Sequence, residues 1–418
     1  MKVLHINASD INGGAGRAAY RLHKALLNEK IESLMLVQNK KSDDYTVISL
    51  ANNKIQKGLN LLRPTIDQIP VKFYKNRIKT LFSPSWVGFN NVIKKIEEIN
   101  PDIVHLHWIT GGMVKIEDLA KINKPIVWNL HDNWAFTGGC HIKWQCEKYK
   151  KKCGSCEVLK SNREKDLSRW IWNRKKKVYS SMDNLIINGL SRWIKELSEE
   201  SNLLKNKKHI NIPNLIDTNT YKPFDKEKVR EVWNLPKNKK LILFGAMSAT
   251  SDINKGFKEL SEALKLLNLK DIEFVIFGSS KPQNAPKFKF KTHYIGRLYD
   301  DISLVTLYSA VDVMIVPSIQ ENLSNAIMES LSCATPVVAF DIGGNSDMIE
   351  HKINGYLAKP FESQDLANGI EWVLNLGENE YNKICENARE KVLKEFDSRV
   401  VAKRYIELYK RILKGKIK

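Results

Sequence analysis

The 418 residues contain no apolar run near the roughly 18 that a helix needs to cross a bilayer, so no membrane span is expected. The opening segment, Met1-Lys2-Val3-Leu4-His5-Ile6-Asn7, has too short an apolar core for a secretory signal. Cysteine is scarce: six in the whole chain build no disulfide scaffold, and a cytoplasmic protein is expected. Arginine is scarce too, 14 against 53 lysines. Arginine is the usual residue for bidentate recognition of phosphates and base edges, so the bias sets compositional drift beside a functional basic surface as a reading of the charge; no nucleic-acid partner is expected.

What remains is globular. A content of 43% apolar and 27% charged residues excludes disorder, collagen and coiled coil as the main state, and the length suffices for two cores. The net charge of +20 suits an anionic surface or phosphorylated substrates, or reflects a lysine-rich composition without further meaning. Between Lys143 and Lys177 stand 13 basic and four acidic residues, with Trp144, Tyr149, Trp170 and Trp172 interleaved. That run reads either as a face for an anionic membrane or as a solvated helix.

Short β-branched segments alternate with longer helical ones. Strands are expected at Met1–Asn7, Leu34–Val37, Ile103–Leu106, Ile126–Leu130 and Leu185–Asn188. After a proline-containing stretch around Ile210–Pro223 a second series follows, with strands at Lys240–Phe244, Glu273–Phe277, Val313–Val316, Pro336–Phe340 and Tyr356–Ala358. Helices are expected at Gly16–Asn28 and Lys255–Leu267. The fold class is therefore α/β: two Rossmann-like domains with parallel sheets facing a central cleft. The expected division is residues 1–213, a first domain with a cysteine-containing insert at about 137–160, then 214–399, a second. A terminal helix, 400–418, is expected to pack back toward the first domain.

The first strand runs into Asn12-Gly13-Gly14-Ala15-Gly16, where glycines and a helix N-terminus suit an anion. A dinucleotide reading needs an acid near the end of the second strand, and Val37-Gln38-Asn39-Lys40 offers none. In the second half, Glu321 lies in a loop after a strand, and Glu329 sits about two turns into the helix that follows. Amides at Leu323, Ser324 and Asn325 would form an anion site at that helix start. Glu329 precedes the small, apolar face Ser330-Leu331-Ser332-Cys333-Ala334, where a carboxylate is better paired than idle.

These marks together resemble the retaining enzymes of glycosyltransferase family 4, which have the GT-B architecture. They are Glu321-x7-Glu329, Pro336-Val337-Val338-Ala339, Asp341-Ile342-Gly343-Gly344, Gly296-Arg297-Leu298, Tyr308-Ser309-Ala310-Val311-Asp312-Val313 and the hinge Ile212-Pro213-Asn214-Leu215-Ile216-Asp217. Phe244-Gly245-Ala246, Lys255-Gly256-Phe257 and the cysteine insert resemble the colanic-acid-type members. By this resemblance the first domain would take the acceptor side and the second the nucleotide sugar. The resemblance implies a nucleoside-diphosphate sugar donor, a glycan or lipid-linked acceptor in bacterial surface polysaccharide synthesis, and work at the inner face of the cytoplasmic membrane. It implies Glu321, Lys255 and His131 as catalytic residues: Lys255 against the leaving phosphates, Glu321 at the donor-sugar hydroxyls, His131 at the donor sugar. Gly13, Gly14, Arg297, Asn322, Leu323, Ser324, Asn325 and Glu329 are implied as donor-binding, with Glu329 at the ribose and the Arg297 loop at the base. One departure stands out: Ala246 occupies a position where many members have arginine. No Asp-x-Asp occurs near a strand end, so the transfer is expected to need no metal or other cofactor. The alternatives are an NAD(P)-dependent oxidoreductase and a non-enzymatic nucleic-acid-binding protein.

Two clusters invite metal readings. His105 and His107 alternate on one face of a strand, as cleft lining, core packing or ligands. Cys153-x-x-Cys156, with Cys140 and Cys146, matches a structural zinc site of four thiolates, against ordinary reduced thiols or a redox pair.

Overall fold

The computed structural model describes residues 1–88, 91–245, 252–278, 280 and 287–416. The chain forms two compact units, Met1–Asn214 with Val401–Lys418, and Leu215–Val400.

The first unit holds β1 (Lys2–Ser9), α1 (Gly13–Asn28), β2 (Glu32–Asn39), β3 (Val47–Ser49), α2 (Lys54–Asp67), α3 (Ile69–Lys72) and α4 (Val92–Ile99). It continues with β4 (Ile103–Leu106), β5 (Ile126–Leu130), α5 (Leu167–Tyr179), β6 (Leu185–Gly189), α6 (Arg192–Glu200) and β7 (Lys208–Asn211). Its seven strands are parallel in the order β3-β2-β1-β4-β5-β6-β7. β1 is buried without a break from Val3 to Ala8, as expected of a strand covered on both faces.

The second unit holds α7 (Lys226–Val232), β8 (Lys240–Gly245), α8 (Phe257–Leu266), β9 (Ile272–Phe277), β10 (Thr292–Gly296), α9 (Asp301–Ala310) and β11 (Val313–Val316). It is completed by α10 (Asn325–Ser332), β12 (Val337–Phe340), α11 (Asn345–Met348), β13 (Gly355–Ala358), α12 (Ser363–Leu374) and α13 (Glu378–Glu395). Six parallel strands run β10-β9-β8-β11-β12-β13. Strand order reverses between β1 and β4 in one sheet and between β8 and β11 in the other, and such switch points open a crevice at the carboxyl ends.

Three strands have no counterpart in the sequence pattern: β3, β7 and β10. All three are sheet edges. β7 shows the burial of an edge, with no residue fully covered, and so lacks the apolar run that marks a central strand. The expected helix at Lys255 also starts later. Gly256 adopts φ +66°, a left-handed turn, and α8 begins only after it.

α14 (Ser398–Leu413) carries the chain into the first unit. There the Tyr405 hydroxyl accepts from the side-chain amides of Asn129 and Asn188, both at 2.9 Å, and the Tyr409 hydroxyl meets His105 Nδ1 at 2.5 Å. All these groups are buried, so each bond is expensive to lose. Tyr405→Phe is expected to lower stability by about 1–3 kcal/mol, read as a lower urea midpoint. An unchanged midpoint would refute the anchoring role.

Candidate active site

At the second switch point the turn after β8 meets the loop after β11. Lys255 Nζ lies 3.5 Å from Glu321 Oε2, two residues 66 apart in sequence. Glu321 holds the ammonium above the usual lysine range, outweighing its burial. Ser318 Oγ donates to the same carboxylate oxygen at 3.2 Å. Neighbouring backbone holds the two segments together. Asn254 Nδ2 donates to Gln320 O at 2.9 Å, its Oδ1 accepts from Gln320 N at 3.0 Å, and its carbonyl accepts from Ile319 N at 2.9 Å.

Glycine makes this approach possible. A Cβ on Gly256 would lie 1.8 Å from Pro317 O, and one on Gly343 (φ +56°) 1.8 Å from Glu321 O. Gly344 N in turn donates to Glu321 O at 3.2 Å. The Asp341-Ile342-Gly343-Gly344 segment is thus the backbone support of the Glu321 loop.

α10 starts just beyond. Ser324 is its N-cap, Asn325 its first residue, and Asn322 and Leu323 lead into it. Glu329 is buried within α10, where the Tyr308 hydroxyl donates to Oε2 at 3.1 Å. The Tyr308–Val313 segment therefore supplies orientation rather than chemistry. Its Asp312 accepts from Arg230 Nη2 at 2.7 Å, Lys226 Nζ at 3.0 Å and Leu241 N at 2.7 Å, joining α7, β8 and β11.

Gly13, Gly14 and His131 belong to the first unit, at the carboxyl ends of β1 and β5. Gly13 takes φ +73° with open space where a Cβ would be. His131 ends a chain of imidazoles: its Nε2 lies 3.1 Å from His107 Nδ1, and His107 Nε2 lies 2.9 Å from His5 Nδ1. His5 Nε2 is buried with no partner. A bare lone pair there is cheaper than an orphaned N–H, so His5 donates to His107, His107 donates to His131, and His131 keeps its proton on Nδ1. Burial depresses the whole cluster, holding His105 near 3 and His131 and His23 near 4. Beside it Asp132 accepts from Trp108 Nε1 at 2.9 Å and lies 2.6 Å from His141 Nδ1, tying the insert to the strand end.

Other expected residues are not gathered. Arg297 is exposed past the end of β10, with no hydrogen bond or ion pair among the described residues, and Ala246 lies outside them. The four thiols do not fit a zinc centre as placed. Sulfurs on one tetrahedral zinc stand about 3.8 Å apart. Among the described residues, His5, His105 and His107 alone bring three ligand atoms within 4.8 Å. Cys140, Cys153 and Cys156 are buried, and burial pushes Cys153 up to about 12 and Cys156 to about 11. Part of the basic run after the insert is absorbed by the fold, while Lys151, Lys152, Lys160, Arg163, Lys165 and Lys177 stay exposed. Lys175 is fully buried against the carbonyls of Trp134 and Thr137, and Arg174 is bidentate to Glu117 at 2.6 and 2.7 Å. Lys150 pairs with Glu147 and Glu200, and Tyr149 and Trp172 are core. Sequence reasoning missed Asn254, Ser318, Tyr308 and His5. Only the position of Asn254, directly before Lys255, hints at its part.

Two parallel-sheet α/β units, each with its polar residues at a switch point, define a GT-B glycosyltransferase. Residues 12–220 match the model of Glycosyltransferase Family 4, and residues 225–391 that of Glycosyl transferases group 1. The chain belongs to glycosyltransferase family 4. It is 25% identical to an uncharacterized glycosyltransferase of Methanocaldococcus jannaschii, over 78% of this chain and 86% of that one. It is 28% identical to the N,N'-diacetylbacillosaminyl-diphospho-undecaprenol alpha-1,3-N-acetylgalactosaminyltransferase of Campylobacter jejuni, over 46% of this chain and 50% of that protein. In fold it is similar to Anabaena HepE, solved with UDP-glucose, at a TM-score of 0.63 and 17% identity over 98% of this chain and 99% of that one.

Two outcomes follow. Gly256→Ala and Gly343→Ala are each expected to cost more than about 2 kcal/mol and to abolish activity, since backbone must move; wild-type melting and rates in either would refute the close approach. The histidines ionise in the unfolded chain near 6.5 but resist it when folded, so stability is full above that pH. It is expected to fall as pH drops from about 6.5 toward 4, by up to about 1.4 kcal/mol per unit per histidine. Urea midpoints that stay flat between pH 7 and 5 would contradict this.

Proposed function

We propose that the protein is a retaining, metal-independent transferase moving a hexosyl group from a nucleoside-diphosphate sugar to a glycan or lipid-linked acceptor of a bacterial surface polysaccharide. The observation that carries the reading is the Lys255–Glu321 pair at the β8/β11 switch point, beside the start of α10. In the reaction the bond from the anomeric carbon to the phosphate oxygen breaks, and the acceptor oxygen attacks from the same face. Its proton passes to the departing phosphate. Charge grows on that phosphate, where the Lys255 ammonium and the amides at Leu323–Asn325 would meet it. Glu321 would accept from donor-sugar hydroxyls, and Glu329, oriented by Tyr308, from the ribose. For the first unit, the family resemblance assigns His131 to the donor sugar and Gly13 and Gly14 to the diphosphate.

A nicotinamide enzyme is disfavoured because β2 ends at Asn39 with no acid to take the ribose. The relative from Campylobacter acts, by its name, on an undecaprenol-linked substrate, which supports a lipid-linked acceptor. In a donor-consumption assay, Lys255→Ala and Glu329→Ala are each expected to lose at least about a hundredfold in rate while remaining folded. Near-normal turnover in both would overturn the assignment.

A further inference from the structure

Helix α2 turns its polar side inward. Its buried residues are Asn60, Arg63 and Asp67, spaced three and four apart. Asn60 Nδ2 donates to Gln38 O at 2.8 Å, Arg63 Nη1 to Gly112 O at 3.4 Å, and the Asp67 carboxylate accepts from the amides of Ser85 and Trp86 at 3.3 and 3.1 Å. The apolar residues are left on the outside. Ile55, Leu59 and Leu62 are 76, 49 and 54% exposed, and beyond α2 Ile69 and Phe73 continue the row at 44 and 81%. Their spacing alternates four and three, so on α2 they form one stripe. A continuous exposed apolar row of this kind marks an interaction surface.

Charge selects the partner. Lys54, Lys57, Lys72, Lys75 and Lys79 flank the row, all exposed, and none forms an ion pair among the described residues. The only acid between Asn53 and Leu81 is Asp67, which is fully buried. Past Phe73 the surface opens into a groove of about 670 Å³ whose lining includes Trp170, Lys160, Arg163 and Lys165. A second copy is a poor occupant, because a self-complementary contact would set lysines against lysines. Apolar anchors ringed by lysine suit the boundary between headgroups and acyl chains of an anionic bilayer.

We propose that the α2–α3 face and its adjoining groove dock on an anionic lipid surface, with Leu62 and Phe73 entering the acyl boundary and the lysines at headgroup phosphates. The α2–α3 face shares this contact with Lys160, Arg163, Lys165 and Trp170 of the Lys143–Lys177 run, and the proposal does not depend on which acceptor the enzyme uses. The test is co-sedimentation with vesicles of phosphatidylcholine alone and of phosphatidylcholine with about one third phosphatidylglycerol. The full-length protein is expected to bind the anionic vesicles at least about tenfold better, and less well as salt rises. Leu62→Ser with Phe73→Ser, and separately Lys72→Gln with Lys75→Gln, are expected to weaken binding about tenfold. Lys151→Gln with Lys152→Gln, on the insert, should leave it unchanged. Donor consumption in solution and melting temperature should stay at wild-type values throughout, which separates failure here from failure of the transferase reading. Equal binding to both vesicles, or wild-type binding by both α2–α3 variants, overturns the proposal. So does a solution dimer that Leu62→Ser with Phe73→Ser dissolves.

Discussion

The second unit depends on how closely two loop backbones approach at the β8/β11 switch point. Lys255 and Glu321 face each other because Asn254 bonds the Glu321 loop three times and because Gly256 and Gly343 leave no side chain in the way. A lysine and a glutamate on separate mobile loops would attract only weakly in water and would cost side-chain entropy to hold. Here the backbone fixes the distance first, and the ion pair follows. The residues that make the charge and the residues that place it are therefore different sets, drawn from three sequence segments.

That division decides what was readable in the sequence. Central strands such as β1, β4, β5 and β11 announce themselves, because burial on both faces demands an unbroken β-branched run. Edge strands β3, β7 and β10 do not, since one side meets solvent. Charged residues at the site are legible by type and by the motifs they stand in: Lys255, Glu321 and Glu329. Their orienting partners are not. Tyr308 reaches Glu329 across a helix pair, and Ser318 reads as an ordinary turn residue until the loop folds. The cysteines are legible by spacing alone, and the fold buries Cys140, Cys153 and Cys156.

The net charge of +20 divides in a similar way. Counted along the chain, the excess between Lys143 and Lys177 is the most conspicuous. Folded, much of it is spent: Lys175 and Arg169 lie in the interior, and Arg174 and Lys150 face carboxylates. Unspent charge also lies where the count looks unremarkable, around α2 and α3, because that stretch has almost no acids to oppose its lysines. Surface charge follows from pairing, and composition does not record pairing.

The two switch points meet electrostatics by opposite means. At the second, Glu321 holds the Lys255 ammonium above the usual lysine range. At the first, burial holds His5, His105, His107 and His131 neutral, and each hydrogen bond along the chain fixes the tautomer of the next. Neutral imidazoles there avoid a positive centre buried beside the strand ends, which would cost several kcal/mol to desolvate. They also give His131 one defined donor, so its direction is set by His5, at the far end of the chain, rather than by solvent. A substitution at His5 would thus act on His131 without touching it, through the proton order alone.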